Sequence, residues 1–134
     1  MPFARDQEFE RSGNSPRTIL VVEDEILIRL LIAEHLRDCG FKVREAGNAA
    51  EAKELLVSAG PIDLVLSDVN MPGGEDGIAL AHWIVHRHPM IPIILTSALP
   101  PTRGTNFPFL AKPYDLEAAV ALILLLLRDA ATGG

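Results

Sequence analysis

Hydrophobic and polar residues follow two different periods along this chain. Short, continuous apolar runs are typical of strands that are buried on both faces, and they occur at 18–22, 62–67 and 91–95. Between these runs, apolar residues recur every three or four positions, as they do along one side of a helix. Strands that alternate with helices predict a parallel sheet that is covered by helices on both faces.

The predicted elements follow one another from residue 18 to residue 129. Helical spacing begins at Ile26 and ends at Cys39-Gly40, where glycine stops the helix. Asn48 is predicted to cap the second helix, which continues to about Ala59. The remaining predicted elements are strands at 41–46 and 107–111 and helices at 77–88 and 114–129.

Residues 1–17 differ from the rest, because they mix charged residues with Ser, Gly, Asn and Pro and show no apolar period. We expect a flexible N-terminal arm there, followed by a single domain at 18–130. The alternation predicts an α/β, flavodoxin-like, doubly wound sheet of five parallel strands in the order 2-1-3-4-5. The fourth helix should be short or absent, because the segment 98–106 contains two prolines and a glycine.

Composition narrows the class of protein. The chain has 134 residues, 49% of them hydrophobic, which is enough for one domain with a core. A formal charge of −6 argues against nucleic acid as a partner, since that partner needs clustered Lys and Arg. The single cysteine, Cys39, excludes an internal disulfide, and no apolar run is long enough to span a membrane. We therefore expect a cytoplasmic location.

Polar side chains follow the predicted strands at their carboxyl ends. Glu23 and Asp24 follow the first strand, Asp68 ends the third, and Thr96 and Lys112 follow the fourth and fifth. In a doubly wound parallel sheet these ends share one edge, around the switch point between the first and third strands. We expect the side chains to lie together in one half-buried crevice. The plainer alternative for Asp68 alone is that it caps the turn or the helix that follows.

The chemistry of such a crevice follows from its charges. Three carboxylates repel one another unless a cation is present, and a hard ion such as Mg²⁺ takes oxygen ligands. Thr96 can donate a hydrogen bond to a phosphoryl oxygen, and Lys112 can supply a positive charge to it. A carboxylate such as that of Asp68 can attack phosphorus and form an acyl phosphate. The expected reaction is phosphoryl transfer, promoted by positioning and charge neutralisation.

Four motifs carry a resemblance to a known family. They are the acidic pair Glu23-Asp24, the segment Ser67-Asp68-Val69-Asn70-Met71-Pro72, Thr96-Ser97-Ala98 and Lys112-Pro113-Tyr114. In this order the motifs resemble the response regulator receiver family of two-component signalling, from about Thr18 to Asp129. By this resemblance, Asp68 accepts a phosphoryl group from a histidine kinase or a phosphotransfer protein.

The resemblance also implies roles for the other residues of the site. The groups that it implies for Mg²⁺ are Glu23, Asp24, Asp68 and the main-chain carbonyl of Asn70. Thr96 and Lys112 would bind the phosphoryl group, and the Lys112–Pro113 peptide bond is expected to be cis. Thr96 and Phe109 match the switch positions of the family.

The resemblance further implies a signalling protein, not an enzyme that acts on other substrates. Its output would be a change in binding to a downstream protein. Because the sequence ends at Gly134 without DNA-binding helices or a catalytic module, we expect a stand-alone receiver with no output domain. Three features depart from the family pattern. Glu23 replaces the commoner Asp, the loop at 71–77 is one residue longer than usual, and the fourth crossover is short and rich in proline, which alters the usual output face of the family.

Other classes of protein share parts of this pattern. A metal-dependent phosphatase with an aspartate nucleophile normally needs a second acid two residues later, where this chain has Asn70. A flavodoxin-like cofactor binder would cradle phosphate on the first loop, where Glu23-Asp24-Glu25 would repel phosphate without a metal. A degenerate receiver that serves only as a scaffold is a third alternative, although no key residue is missing.

The predicted final helix is apolar nearly all round, unlike the surface helix of a monomer. The stripe expected to dock on the sheet consists of Leu116, Val120, Ile123, Leu124 and Leu127. The stripe expected on the exposed side consists of Ala118, Leu122, Leu125 and Leu126. We predict that this second stripe is a protein interface, that of a homodimer. The alternative is that Phe3 or Phe9 of the N-terminal arm covers it.

Overall fold

The apolar runs form the strands of one sheet. The computed structural model describes residues 15–71, 73, 75–99 and 106–133. Its strands are β1 (Thr18–Val22), β2 (Lys42–Ala46), β3 (Leu64–Asp68), β4 (Ile93–Ser97) and β5 (Phe109–Ala111). Its helices are α1 (Ile26–Asp38), α2 (Ala49–Ser58), α3 (Gly77–Arg87) and α4 (Leu116–Gly133).

The predicted α/β architecture is confirmed. All neighbouring strands are parallel, and their order is β2-β1-β3-β4-β5. No helix lies between β4 and β5 in the residues that the structure describes, while 100–105 fall outside them. Most of the predicted N-terminal arm, residues 1–14, also lies outside the described residues.

The register brings the carboxyl ends of the strands to one side, which we call the carboxyl edge. Val22 of β1 pairs with Ser67 of β3, and Asp68 of β3 pairs with Thr96 of β4. Residues that follow these positions therefore meet at the carboxyl edge. The side from which the strands start is the amino edge.

Alternate residues of each central strand face opposite layers of helices. Leu20 of β1 belongs to a core cluster with residues of α2 and α3, whereas Val21 belongs to a cluster with residues of α1 and α4. Every residue of β3 and of β4 is buried. This burial explains why both strands read as unbroken apolar runs that end in polar residues.

Helix α4 docks through a set of residues that differs from the prediction. Its fully buried residues are Ala119, Ile123 and Leu127. Leu124, predicted to dock, is 53% exposed. Leu122 and Leu126, predicted to be exposed, instead pack against the cluster that α1 and α4 share. A run of leucines contains no polar residue to mark the outer side, so the sequence pattern leaves the orientation of this helix undetermined.

Four elements begin two residues later than the sequence predicts. Strand β3 starts at Leu64, β4 starts at Ile93 and β5 starts at Phe109. Helix α4 starts at Leu116 in place of residue 114, because Asp115 caps it: the Asp115 side chain accepts a hydrogen bond from the Glu117 N–H at 3.2 Å. Among the described residues, no helix has the length and apolar character that a membrane crossing requires.

Candidate functional site

Three carboxylates meet at the carboxyl edge. Glu23 and Asp24 follow β1, Asp68 ends β3, and one oxygen atom of each lies within 4.8 Å of the others. The sheet continues past β1, because the Glu23 N–H donates a hydrogen bond to the Ala46 carbonyl at 2.9 Å. Glu23 is 3% exposed and Asp68 is 6% exposed. In the described part of the chain, this is the one cluster of acids, histidines or cysteines with metal-ligand spacing.

Lys112 places a single ammonium group among these carboxylates. Its Nζ lies 2.6 Å from Glu23 Oε1 and 3.1 Å from Asp68 Oδ2. The Lys112 N–H donates to the Ser97 carbonyl at 2.8 Å, which fixes the end of β5 beside β4. The Lys112–Pro113 peptide bond is cis, as expected. Two of the three carboxylates thus share one cation.

Burial and the contacts of Lys112 shift two pKa values in this pocket. Burial raises the pKa of Glu23 above its ordinary 4.5, and the hydrogen bond from Lys112 offsets this only in part. Burial alone would lower the pKa of Lys112, but its hydrogen bonds to Glu23 and Asp68 raise it overall. Both shifts favour a bound proton: burial disfavours the charged form of Glu23, and two carboxylates favour the charged form of Lys112.

Tyr114 borders the same pocket. Burial, and then the negative charge of Glu23, raises the pKa of its phenol from 10.0 to about 12. With Pro113 and residues of α1, Tyr114 lines a mostly apolar cavity of about 270 Å³ that reaches Lys112. The acidic site therefore adjoins an apolar surface.

Asp68 accepts one hydrogen bond from the loop that it begins, and further hydrogen bonds tie this loop to Ser97. Its Oδ1 accepts a hydrogen bond from the Asn70 N–H at 3.3 Å, so Asp68 also caps the turn, as the plainer alternative expects. The Asn70 side chain donates to Ser97 Oγ at 3.4 Å, and the Leu99 N–H donates to the same oxygen at 3.2 Å. Ser97, to which the sequence assigns no role, joins the loops that follow β3 and β4.

Thr96 and Phe109 lie at different distances from this pocket along the sheet. Thr96 is buried and pairs with Asp68 across β3 and β4, and its carbonyl accepts a hydrogen bond from the Val69 N–H at 2.8 Å. Phe109 pairs with Leu95 and packs, partly buried, on the face that α2 and α3 cover. The switch role of both residues stays a prediction.

Helix α3 begins in contact with the end of β3. The Gly77 N–H donates to the Val69 carbonyl at 2.8 Å, and a Cβ added at Gly77 would overlap the main-chain carbonyl of Asp68. The side chain of Asp76 caps the helix by accepting a hydrogen bond from the Ala79 N–H at 2.9 Å. Only glycine allows this close approach of helix and strand.

Arg29 supports the site, although the sequence analysis assigns it no role. Its Nη1 donates to the main-chain carbonyl of Glu23 at 2.8 Å, and its Nε lies 3.4 Å from Glu45 Oε1 on β2. The available signal is that one arginine interrupts the apolar start of α1. Glu45, the partner of Arg29 on β2, is distant in sequence, so the isolated arginine does not identify it.

Apolar side chains surround this charged pocket on one side. Four large residues of the first turns of α1 are exposed; we call them the α1 surface, and they are Ile26, Leu27, Leu30 and Leu31. Leu27 is 81% exposed. An exposed apolar patch of this kind beside a reactive group is typical of a protein-binding site.

Comparison with known proteins extends these observations. A family model described as the response regulator receiver domain matches residues 19–123. The DNA-binding transcriptional regulator NtrC of Escherichia coli is 38% identical over 112 residues, which cover 78% of this chain and 24% of that protein. The chain thus spans about a quarter of the length of the curated relatives that it matches.

Solved structures agree with the family model. The response regulator TrrA of Thermotoga maritima, in complex with Mg²⁺ and BeF, is 30% identical, with a TM-score of 0.75 over 82% of this chain and 98% of that chain. The receiver domain of the hybrid histidine kinase CckA is 34% identical, with a TM-score of 0.69 and the same coverage. Because the family model covers most of a chain with this sheet and this strand-end pocket, the chain belongs to the response regulator receiver family of two-component signalling.

Proposed function

We propose that this chain accepts a phosphoryl group on Asp68. The observation that carries the proposal is the position of the Asp68 carboxylate: it ends a fully buried strand and lies 3.1 Å from the Lys112 ammonium group. A carboxylate oxygen of Asp68 attacks phosphorus and forms an acyl phosphate. The phosphorus–nitrogen bond of a donor phosphohistidine breaks, and the imidazole leaves. In this proposal the chain acts as a signalling protein and not as an enzyme on other substrates.

The donor set of the pocket fits Mg²⁺. Hard oxygen ligands of three carboxylates lie within 4.8 Å of one another, and Lys112 contacts only two of these carboxylates. The groups that would hold the ion are the carboxylates of Glu23, Asp24 and Asp68 and the main-chain carbonyl of Asn70. When bound, Mg²⁺ supplies neutralisation of the charge on the phosphoryl oxygens. The TrrA structure, with Mg²⁺ and BeF, supports this assignment for a relative.

Other residues of the chain bind and orient the phosphoryl group. Lys112 offers its ammonium group to a phosphoryl oxygen, and Thr96 offers a hydroxyl proton from the neighbouring strand. The loop after β3 stays in place because Asn70 donates hydrogen bonds to Asp68 and Ser97. These contacts position charge before the reaction, which is how phosphoryl transfer is accelerated.

Acetyl phosphate with Mg²⁺ tests the proposal without a protein donor. We expect the wild type to gain one phosphate by mass spectrometry, and Asp68→Asn or chelation of the metal to abolish the gain. The matched control is Asp63→Asn, because Asp63 lies just before the same strand at the amino edge. Phosphate that persists on Asp68→Asn, or that disappears from Asp63→Asn, would contradict the assignment.

We propose that the α1 surface binds the protein donor, a histidine kinase or a phosphotransfer protein. This surface follows Glu23 and Asp24 directly, and it exposes four large apolar side chains beside the pocket. Leu27→Glu should slow phosphorylation by a protein donor and leave phosphorylation by acetyl phosphate unchanged. The control is Val57→Glu on α2, where the wild-type side chain is 75% exposed. Equal loss in both variants would contradict a specific donor surface.

The output of the site would be a change in binding to a downstream protein. One form of output that we propose is self-association through α4. The contact surface would consist of the exposed residues Leu124 and Leu125. Light scattering of the wild type and of Leu124→Glu/Leu125→Glu tests it. A wild type that stays monomeric at high micromolar concentration, with and without phosphorylation, would exclude the homodimer.

A further inference from the structure

The main chain of Glu23 is held by a hydrogen bond at each of its two peptide groups. The Glu23 N–H donates to the Ala46 carbonyl at 2.9 Å, and the Glu23 carbonyl accepts from Arg29 Nη1 at 2.8 Å. The peptide held by Arg29 contains the Glu23 carbonyl and joins Glu23 to Asp24, which supply two of the three carboxylates in the acidic cluster. Its orientation therefore determines where both carboxylates can lie.

Arg29 is itself held in one position. Its side chain is partly buried, and its Nε lies 3.4 Å from Glu45 Oε1 on the edge strand β2. The second oxygen of Glu45 lies 3.0 Å from Arg37 Nη2, so Glu45 joins two arginines of α1 to the sheet. A Cβ added at Gly47 would come within 3.1 Å of Arg29 Nη1, so the guanidinium fits against a glycine. A planar group with several fixed donors suits this bridging position.

We propose that Arg29 is a positioning residue of the metal site. It holds the Glu23–Asp24 peptide in the orientation in which both carboxylates can bind Mg²⁺, and Glu45 and Gly47 keep its guanidinium in place. This inference rests on the proposed function, since it concerns the same pocket. Arg29 acts through the main chain of Glu23 and is not a ligand.

A role through charge and a role through positioning predict opposite effects on Mg²⁺ affinity when Arg29 is removed. If Arg29 acted only through its positive charge, its removal would strengthen Mg²⁺ binding, because a cation would be lost beside a cation site. If Arg29 acts by positioning, its removal weakens Mg²⁺ binding, as the loss of a group that orients a metal ligand usually does. Arg29→Lys separates the two further, because it keeps the charge but loses the planar fork.

The test measures the affinity for Mg²⁺ from the rise in melting temperature with Mg²⁺ concentration. We expect Arg29→Met and Arg29→Lys to bind Mg²⁺ roughly 10-fold more weakly than the wild type. The matched control is Arg37→Met, which removes the other arginine bound to Glu45 without touching Glu23. It should bind Mg²⁺ like the wild type. A purely structural role would lower the metal-free melting temperature of the Arg29 variants and leave their Mg²⁺ affinity unchanged.

Gly47→Ala and Glu45→Gln decide the question if the Arg29 variants do not fold. Gly47→Ala keeps every charge and displaces the guanidinium by a few tenths of an ångström, so weaker Mg²⁺ binding supports positioning. Unchanged or tighter Mg²⁺ binding in the variants that fold overturns the inference. Asp24→Asn separates this failure from that of the proposed function. If the wild type responds to Mg²⁺ and Asp24→Asn does not, the site stands and only the role of Arg29 falls; a wild type without any response removes both.

Discussion

The two edges of the sheet differ in how far their polar residues are buried. The buried polar residues among those described lie at the carboxyl edge, and they are Glu23, Ser67, Asp68, Thr96 and Ser97. At the amino edge, Arg17 and Asp63 stay partly exposed and Lys42 is exposed. Asp63 accepts a hydrogen bond from the Thr18 N–H at 2.8 Å, and basic side chains line an open cleft of about 900 Å³ there.

This difference shows that the buried charges of the described residues, which cost stability, are confined to the edge that holds the candidate site. Water solvates the charges at the amino edge, so each can change with little effect. The charges at the carboxyl edge are withdrawn from water and depend on one another, because Glu23 and Asp68 share the ammonium group of Lys112. Substitutions of the same kind should therefore have larger effects at the carboxyl edge.

The largest difference is expected between two glycines. Gly77→Ala should lower the free energy of unfolding by about 3 kcal/mol, because the new Cβ would overlap the main-chain carbonyl of Asp68, which no side-chain rotation can relieve. Gly60 at the amino edge has a φ of +86° with nothing within 4 Å of an added Cβ. Gly60→Ala should cost about 1 kcal/mol, from backbone strain alone. Urea denaturation measures both, and equal losses would contradict the close approach.

The next difference concerns two lysines. Without Mg²⁺, Lys112→Met should destabilise the fold by about 2 kcal/mol, because it leaves two buried carboxylates without their cation. Lys42→Met, on an exposed position of β2, should change stability by less than about 0.5 kcal/mol. Added Mg²⁺ should restore part of the loss in Lys112→Met, since it supplies the missing charge. A Lys112→Met protein as stable as the wild type without Mg²⁺ would show that the carboxylates do not depend on this ammonium group.

Removal of one carboxylate at each edge should shift the melting temperature by a smaller amount, and in opposite directions. Asp24→Ala should raise the melting temperature without metal, by an amount equivalent to about 1 kcal/mol, because it removes one of three clustered like charges. It should also respond less to Mg²⁺. Asp63→Ala should lower the melting temperature, since the Thr18 N–H loses its acceptor. An unchanged Mg²⁺ response in Asp24→Ala would remove this residue from the ligand set.

The smallest expected effect is spectroscopic. Tyr114 is the single tyrosine, so ultraviolet absorbance follows its ionisation alone, and we expect a pKa of about 12 in place of 10.0. Because this pKa is raised in the folded state, the free energy of unfolding should fall as the pH rises from 10.0 through about 12. Glu23→Gln should lower the Tyr114 midpoint by removing a nearby negative charge. A midpoint near 10.0 in the folded protein would contradict the burial of this phenol.

The sequence predicts the carboxyl edge well, because the signals there are local. Each polar residue follows its apolar run directly, so strand and site residue are read together, as in the run that ends at Asp68. The parallel sheet then brings Glu23, Asp24, Asp68 and Lys112 to one place, and the structure shows them in contact or within ligand spacing. The same logic predicts the neighbouring position of Thr96.

Features that depend on distant partners could not be predicted in this way. Arg29 and Glu45 lie 16 residues apart, and only the pairing of β1 with β2 brings them together. The orientation of α4 depends on how its leucines fit the cluster around Ile94, so the pattern misplaces Leu122, Leu124 and Leu126. The link from Ser97 to the loop after Asp68 requires two strand ends whose register is set by the whole sheet.

The outermost strands also bear on aggregation. An open sheet presents unpaired backbone groups along its two outer strands, where a strand from another molecule could add. Here β5 has only three residues and lies between Pro108 and Pro113, while β2 exposes Lys42 and Arg44. Short strands, neighbouring prolines and exposed charges all discourage such addition. We therefore expect assemblies of this chain to form through helix surfaces and to remain discrete, without growth into fibres.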